Sequence, residues 1–115
     1  MQTIELEIDN KKIEADLADN ILRKSWGLSM RTEGKMFFIF ERSGKPPIDM
    51  MLVQEPLYLY FLDEEGNVVD RQYAEPWTLD PRTWRIYRPS KASKYLLESF
   101  EKLNLKKGDR VGFDL

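Results

Sequence analysis

The 115-residue chain carries 18 Lys and Arg against 20 Asp and Glu, for a net charge of −2, and has no histidine and no cysteine. That length suits one domain and excludes a two-domain enzyme with an interdomain cleft. The missing residues exclude Ser-His and Cys-His nucleophile systems, histidine zinc sites, disulfides and thiolate clusters.

The start, Met1 to Ile8, has acids where a signal peptide needs a basic, then apolar, run. No window approaches about 20 apolar residues, so no span and no membrane partner is expected, and a cytoplasmic location follows. Ile4, Leu6 and Ile8 alternate with Glu5, Glu7 and Asp9, which reads as a strand with one wet face. Asp9-Asn10 turns the chain into a second strand at Ile13, Ala15 and Leu17, giving a hairpin. Asp19 or Asn20 caps a short helix through Trp26, stopped by Gly27. Met36 to Phe40 is apolar on both faces, a central strand. Ile48 to Val53 and Leu57 to Leu62 read as strands. Asp63 to Asn67 is a hairpin connection, with Gly66 or Asn67 supplying a positive φ, and Val68 to Tyr73 returns. Glu75 to Thr83 is irregular between Pro76 and Pro81. Trp84 to Tyr87 and Lys94 to Leu97 read as short strands, Phe100 to Leu103 as a helical turn capped by Ser99, and Arg110 to Phe113 as a last strand. The expectation is an all-β chain, a mainly antiparallel β-sandwich or barrel-like domain over residues 1–115 with one or two short helices.

Several stretches resemble domain-of-unknown-function family 192, also called uncharacterised protein family 0127. They are Ala18-Asp19 with Gly27-Leu28-Ser29-Met30-Arg31, Met36-Phe37-Phe38-Ile39-Phe40, Met50, Pro56-Leu57 and Phe61-Leu62-Asp63. Tyr87-Arg88-Pro89 leading to Tyr95-Leu96-Leu97-Glu98, and Gly108-Asp109-Arg110-Val111, complete the set. Their order and spacing cover roughly residues 13 to 113. The resemblance implies a mostly β, sandwich-like fold and no established activity. It carries over two polar residues, Arg31 and Glu98. Where the family has a Lys or Arg, Asn, Thr and a later Asp, this chain has Met51, Leu52, Val53 and Tyr58.

The candidate chemistry is sparse. Asp63, Glu64, Glu65 and Asn67 cluster acceptors, but a calcium loop needs about a dozen residues with ligands at fixed intervals, so a solvated hairpin tip is the better reading. Asp49, Glu55, Asp70, Glu75 and Asp80 offer carboxylate pairs for a small hydrolase or sugar-acting enzyme, with no motif to fix their separation. Arg31 and Glu98 read as a structural ion pair. Met36, Met50 and Met51 with Phe37, Phe38, Tyr58 and Tyr60 read as core, with an apolar pocket or a homodimer interface as the functional alternative.

Residues 82 to 94 hold Arg82, Arg85, Arg88, Lys91 and Lys94 and no acid, interleaved with Trp84 and Tyr87. Cations among aromatics suit a polyanion or single-stranded RNA, because bases stack while cations meet phosphates. The solvated-surface reading competes, and the acidic whole argues against general nucleic-acid affinity. Residue parity puts Trp84 and Ile86 inward and Arg85 and Tyr87 outward. The candidate binding residues are therefore Arg85, Tyr87, Arg88, Lys91 and Lys94. The expected function is a non-enzymatic binding or interaction module, with the carboxylate enzyme and the polyanion binder as alternatives. The expected partners are a second copy or an anionic ligand, with no cofactor and no catalytic or metal site.

Overall fold

The computed structural model describes residues 2–18, 34–51 and 53–115. Six strands build one sheet: β1 (Thr3–Ile8), β2 (Lys11–Ala18), β3 (Lys35–Gly44), β4 (Leu57–Leu62), β5 (Val68–Ala74) and β6 (Ser93–Ser99). Their order across the sheet is β1-β2-β3-β6-β4-β5. The chain is mainly β, as its alternating patterns require.

The β1–β2 hairpin is closed by Asp9 and Asn10, both at positive φ, 52° and 63°. That pair of left-handed residues gives a two-residue turn the twist its strands need. Ile4, Leu6 and Ile8 are buried and the intervening residues exposed. β3 is central and pairs with β2 on one side and β6 on the other. The β2–β3 pair is parallel, with Asp16, Leu17 and Ala18 opposite Met36, Phe37 and Phe38. The sheet is therefore mixed but mainly antiparallel, as expected: the other four strand pairs are antiparallel.

The C-terminal segment ties the two edge strands together. Glu7 and Gly112 exchange backbone hydrogen bonds of 2.8 and 3.0 Å on β1. On β5, the Val68 amide donates to the Asp109 carbonyl at 2.8 Å and Gly108 donates to the Val68 carbonyl at 2.8 Å. This closes the sheet toward a barrel and pairs edges that would otherwise be open.

The two faces of the sheet carry separate cores. The enclosed face packs Phe37, Tyr60, Leu62, Tyr95 and Leu97 against Leu6, Leu105 and Val111. The outer face packs Met36, Phe38, Leu59, Phe61 and Leu96 beneath Ile48, Met50 and Val53. Trp77 and Tyr87, half-buried, join this outer core.

Several expected elements take other forms. Ile48, Met50 and Val53 are buried and Met51 is exposed, yet among the described residues of this stretch only Ile48 forms a bridge, with Tyr87. The segment covers the sheet instead of extending it. Arg110 to Phe113 bridges only at Arg110 and Gly112. Phe100 to Leu103 is not helical; the Ser99 hydroxyl donates to the Glu101 carbonyl at 2.7 Å and accepts from the Glu101 amide at 3.2 Å, a side-chain turn. The one helical element among the described residues is a 3-10 turn, Pro81–Thr83. The expected helix from Asp19 or Asn20 to Trp26 lies outside the described residues.

Candidate functional site

Residues 75 to 92, which lead into β6, cross the outer face of the sheet, held by side chains from β5. Asp70 is only 6% exposed. Its carboxylate accepts from the amides of Arg71 at 2.9 Å and Ser90 at 2.8 Å, and from the Gln72 side-chain amide at 2.8 Å. Gln72 Nε2 also donates to the Arg88 carbonyl at 2.6 Å. Lys107 Nζ stands 3.8 Å from the same carboxylate. Burial alone would raise the Asp70 pKa; the bonds from Gln72, Ser90 and Arg71, with the Lys107 charge, outweigh it and hold the carboxyl below its ordinary range. Asp70 is thus a clip that fixes the segment.

The loop before it is organised by its own hydrogen bonds. Trp77 Nε1 donates to the Arg85 carbonyl at 2.9 Å, and Trp84 Nε1 to the Thr78 carbonyl at 2.8 Å. The two indoles stack with centroids 6.0 Å apart. Asp80 caps the 3-10 turn by accepting from the Arg82 amide at 3.0 Å, and Arg82 Nη2 meets Asp80 Oδ2 at 2.7 Å. The Arg82 guanidinium keeps the Asp80 carboxyl below its ordinary range. With both indole N–H groups satisfied inside the loop, its outward surface includes large apolar side chains. Leu79 is 99% exposed, Trp84 52% and Ile86 49%. Met51, 50% exposed, joins Leu79, Trp77 and Trp84 around an open groove of about 620 Å³.

This arrangement breaks the parity expectation at Trp84, Ile86 and Tyr87, while Arg85 is exposed as expected. Trp84 and Ile86 face solvent, whereas Tyr87 packs on the outer core, and its hydroxyl accepts from the Glu75 amide at 3.1 Å. Residues 84–87 do not form a strand; the backbone pairs only at Tyr87 with Ile48. A 3-10 turn in place of an extended entry removes the regular alternation on which parity rests.

The candidate cations divide by surroundings. Arg85, Arg88 and Lys91 are exposed. Arg88 Nη1 reaches the Lys45 carbonyl at 3.5 Å, and Lys94 Nζ donates to the Glu41 carbonyl at 2.9 Å, so both lie against the end of β3. Glu98 is buried at 3% exposure on β6. Arg31 and Leu52 lie outside the described residues. Of the remaining departures from the family pattern, Met51 is exposed, Val53 buried and Tyr58 half-buried.

Three of the five carboxylates considered for catalysis, Asp49, Asp70 and Asp80, accept from backbone amides. Asp49 accepts from the Met51 amide at 3.1 Å, while Asp70 and Asp80 act as described. At the hairpin tip, Asp63 Oδ1 accepts from the amides of Glu65 and Asn67, each at 2.9 Å, and Gly66 takes the positive φ of 87°. Sequence reasoning missed the exposed Leu79 and Ile86. For Leu79 the available signal was the pair Pro76 and Pro81, which deny the residues between them a ladder in which to bury large apolar side chains.

Comparison with known proteins places this arrangement among uncharacterised relatives. Residues 4–113 match the model of domain-of-unknown-function family 192, described as "Uncharacterized ACR". A protein of uncharacterised protein family 0127 from Pyrococcus abyssi is 31% identical over 105 residues, covering 85% of this chain and 84% of the relative. One from Pyrococcus furiosus is 28% identical over 108 residues, covering 87% and 86%. Two crystal structures share the fold. One, titled a "putative transcription regulator" of Sinorhizobium meliloti 1021, aligns at TM-score 0.75 and 18% identity, over 96% of this chain and 92% of that one. The other, a protein of unknown function from Novosphingobium aromaticivorans DSM 12444, aligns at TM-score 0.74 and 19% identity, over 96% and 83%.

Proposed function

Because the chain belongs to domain-of-unknown-function family 192, whose name carries no activity, we propose its function from its own surface: a non-enzymatic, cytoplasmic binding module for an anionic partner. The contact surface is the clipped segment from Trp77 to Lys91, with Lys94 at the start of β6 beside it. One observation carries this reading. Of the six large hydrophobic side chains exposed among the described residues, Leu79, Trp84 and Ile86 lie within this segment and Met51 beside it, together with the exposed Arg85, Arg88 and Lys91. Clustered exposed apolar groups mark contact surfaces, and the adjacent cations set the sign of the partner. The Asp70 and Gln72 bonds hold the backbone in place beforehand, so little ordering is needed on contact.

The test is retention on heparin and binding of a single-stranded RNA oligonucleotide at about 50 and 200 mM salt, where phosphate contacts weaken steeply. The triple variant Arg85→Ser, Arg88→Ser, Lys91→Ser is expected to lose salt-dependent retention on both. Trp84→Ala is expected to weaken RNA alone, since stacking needs the ring. Absence of retention by the unaltered protein at the lower salt, or retention indifferent to the triple substitution, overturns the reading.

A further inference from the structure

A second exposed aromatic region lies at the mouth of the enclosed core, apart from the surface described above. Tyr58 on β4 sits opposite Tyr73 on β5, and Tyr60 opposite Arg71, so these four side chains share one face. The Tyr58 and Tyr73 rings lie 5.0 Å apart at 58°. With Lys102 from the segment after β6, they bound a groove of about 200 Å³. A neighbouring hollow of about 220 Å³ shares Tyr58 and Tyr73 and adds Phe100 and Glu55. Neither hollow shares a lining residue with the Met51–Leu79 groove.

Two features give the first groove its chemistry. It is lined by two cations and no acid. Arg71 is held in place because Nη1 donates to the Leu105 carbonyl at 2.9 Å, leaving its other N–H groups for a further acceptor. Among the described residues neither Arg71 nor Lys102 forms an ion pair. The floor is fixed as well: the Tyr60 hydroxyl accepts from the Leu103 amide at 2.8 Å. Barrel mouths are recurrent small-molecule sites, but drug-sized ligands occupy about 300–1,000 Å³. The smaller volume here admits a single ring.

We infer that this groove binds a small aromatic carboxylate, its ring against Tyr58 and Tyr73 and its charge against Arg71 and Lys102. Planar guanidinium matches a carboxylate with paired N–H donors, and tilted tyrosines receive an aromatic edge or face.

Benzoate is the probe, followed by backbone-amide NMR of the full chain. Saturable shifts are expected at Tyr58, Arg71, Tyr73 and Lys102. Benzyl alcohol, with the ring and no charge, and inorganic phosphate, with the charge and no ring, are each expected to bind more weakly than benzoate. Arg71→Gln should weaken benzoate about tenfold, the scale of one charge-assisted hydrogen bond. Lys102→Gln, at an exposed position, provides a second reading should the loss of the Leu105 contact unfold the first variant. Shifts that map elsewhere or fail to saturate overturn the inference, as does phosphate binding as well as benzoate, or benzoate affinity unchanged in the folded variants.

Discussion

Asp70 shows how one buried acid sets a surface. A carboxylate taken out of water is costly unless each oxygen finds donors, and Asp70 finds three plus a lysine. Because its folded pKa lies below its ordinary value, its stabilising contribution is fully present above the unfolded pKa, near 3.8. That contribution disappears as pH falls through the lowered folded value. Asp70→Asn is therefore expected to cost about 1–3 kcal/mol at neutral pH, by misaligning donors at a buried site. It should also flatten the fall of melting temperature below about pH 4 relative to the unaltered protein. Thermal scans across acid pH check both; an acid limb of unchanged steepness would remove Asp70 from the account. In sequence Asp70 was one acid among several, since nothing in its neighbours signals that Ser90, twenty residues on, donates to it.

Turns and strands were the most legible elements, for reasons that also explain the failures. The β1–β2 and β4–β5 hairpins are local, and their turn residues announce themselves: Asp9-Asn10 at one, Gly66 at the other. Period two reports which side chains are buried, not whether the backbone has a neighbour. Hence Ile48 and Met50 are buried at strand spacing in a segment that acts as a cover. The parallel β2–β3 pair joins segments separated in sequence, where no turn chemistry announces the direction. The candidate site was half legible: the run of cations is visible in composition, but which aromatics face out depends on the 3-10 turn at Pro81–Thr83. Glycines give an element-scale prediction. Gly66, at φ 87°, would place a Cβ only 2.8 Å from the Val111 carbonyl oxygen, whereas Gly108, at φ 94°, has nothing within 4 Å. Gly108→Ala is expected to cost about 1 kcal/mol of backbone strain and Gly66→Ala about 2–3 kcal/mol or more, since the closing segment must also shift. Urea denaturation midpoints decide it, and equal losses would mean that the close approach to Val111 carries no weight.

At the scale of the whole molecule, six strands in a mixed sheet leave two edges, and residues 108–112 join them. The segment also supplies Val111 and Phe113 to the enclosed core, where the Phe113 ring lies 4.9 Å from both Phe37 and Tyr95. Burying Val111 fully and Phe113 partly is worth at most about 3–6 kcal/mol, a large share of the roughly 5–15 kcal/mol by which a domain is stable. The outer core draws its cover from other segments, Ile48 to Val53 and Trp77 to Tyr87. Closure and outer packing should therefore separate experimentally. Removal of residues 109–115 is expected to lower the urea midpoint sharply. It should also release the Glu7 and Val68 amides, which donate to Gly112 and Asp109, to rapid hydrogen exchange. Amides of the β4–β6 ladder, such as those of Leu59 and Leu97 at the centre of the sheet, should exchange more slowly than these. A midpoint unchanged by the truncation would show that the barrel does not depend on its closing segment. Uniform loss of protection across the sheet would instead make the two cores one cooperative unit, with closure required for either to form.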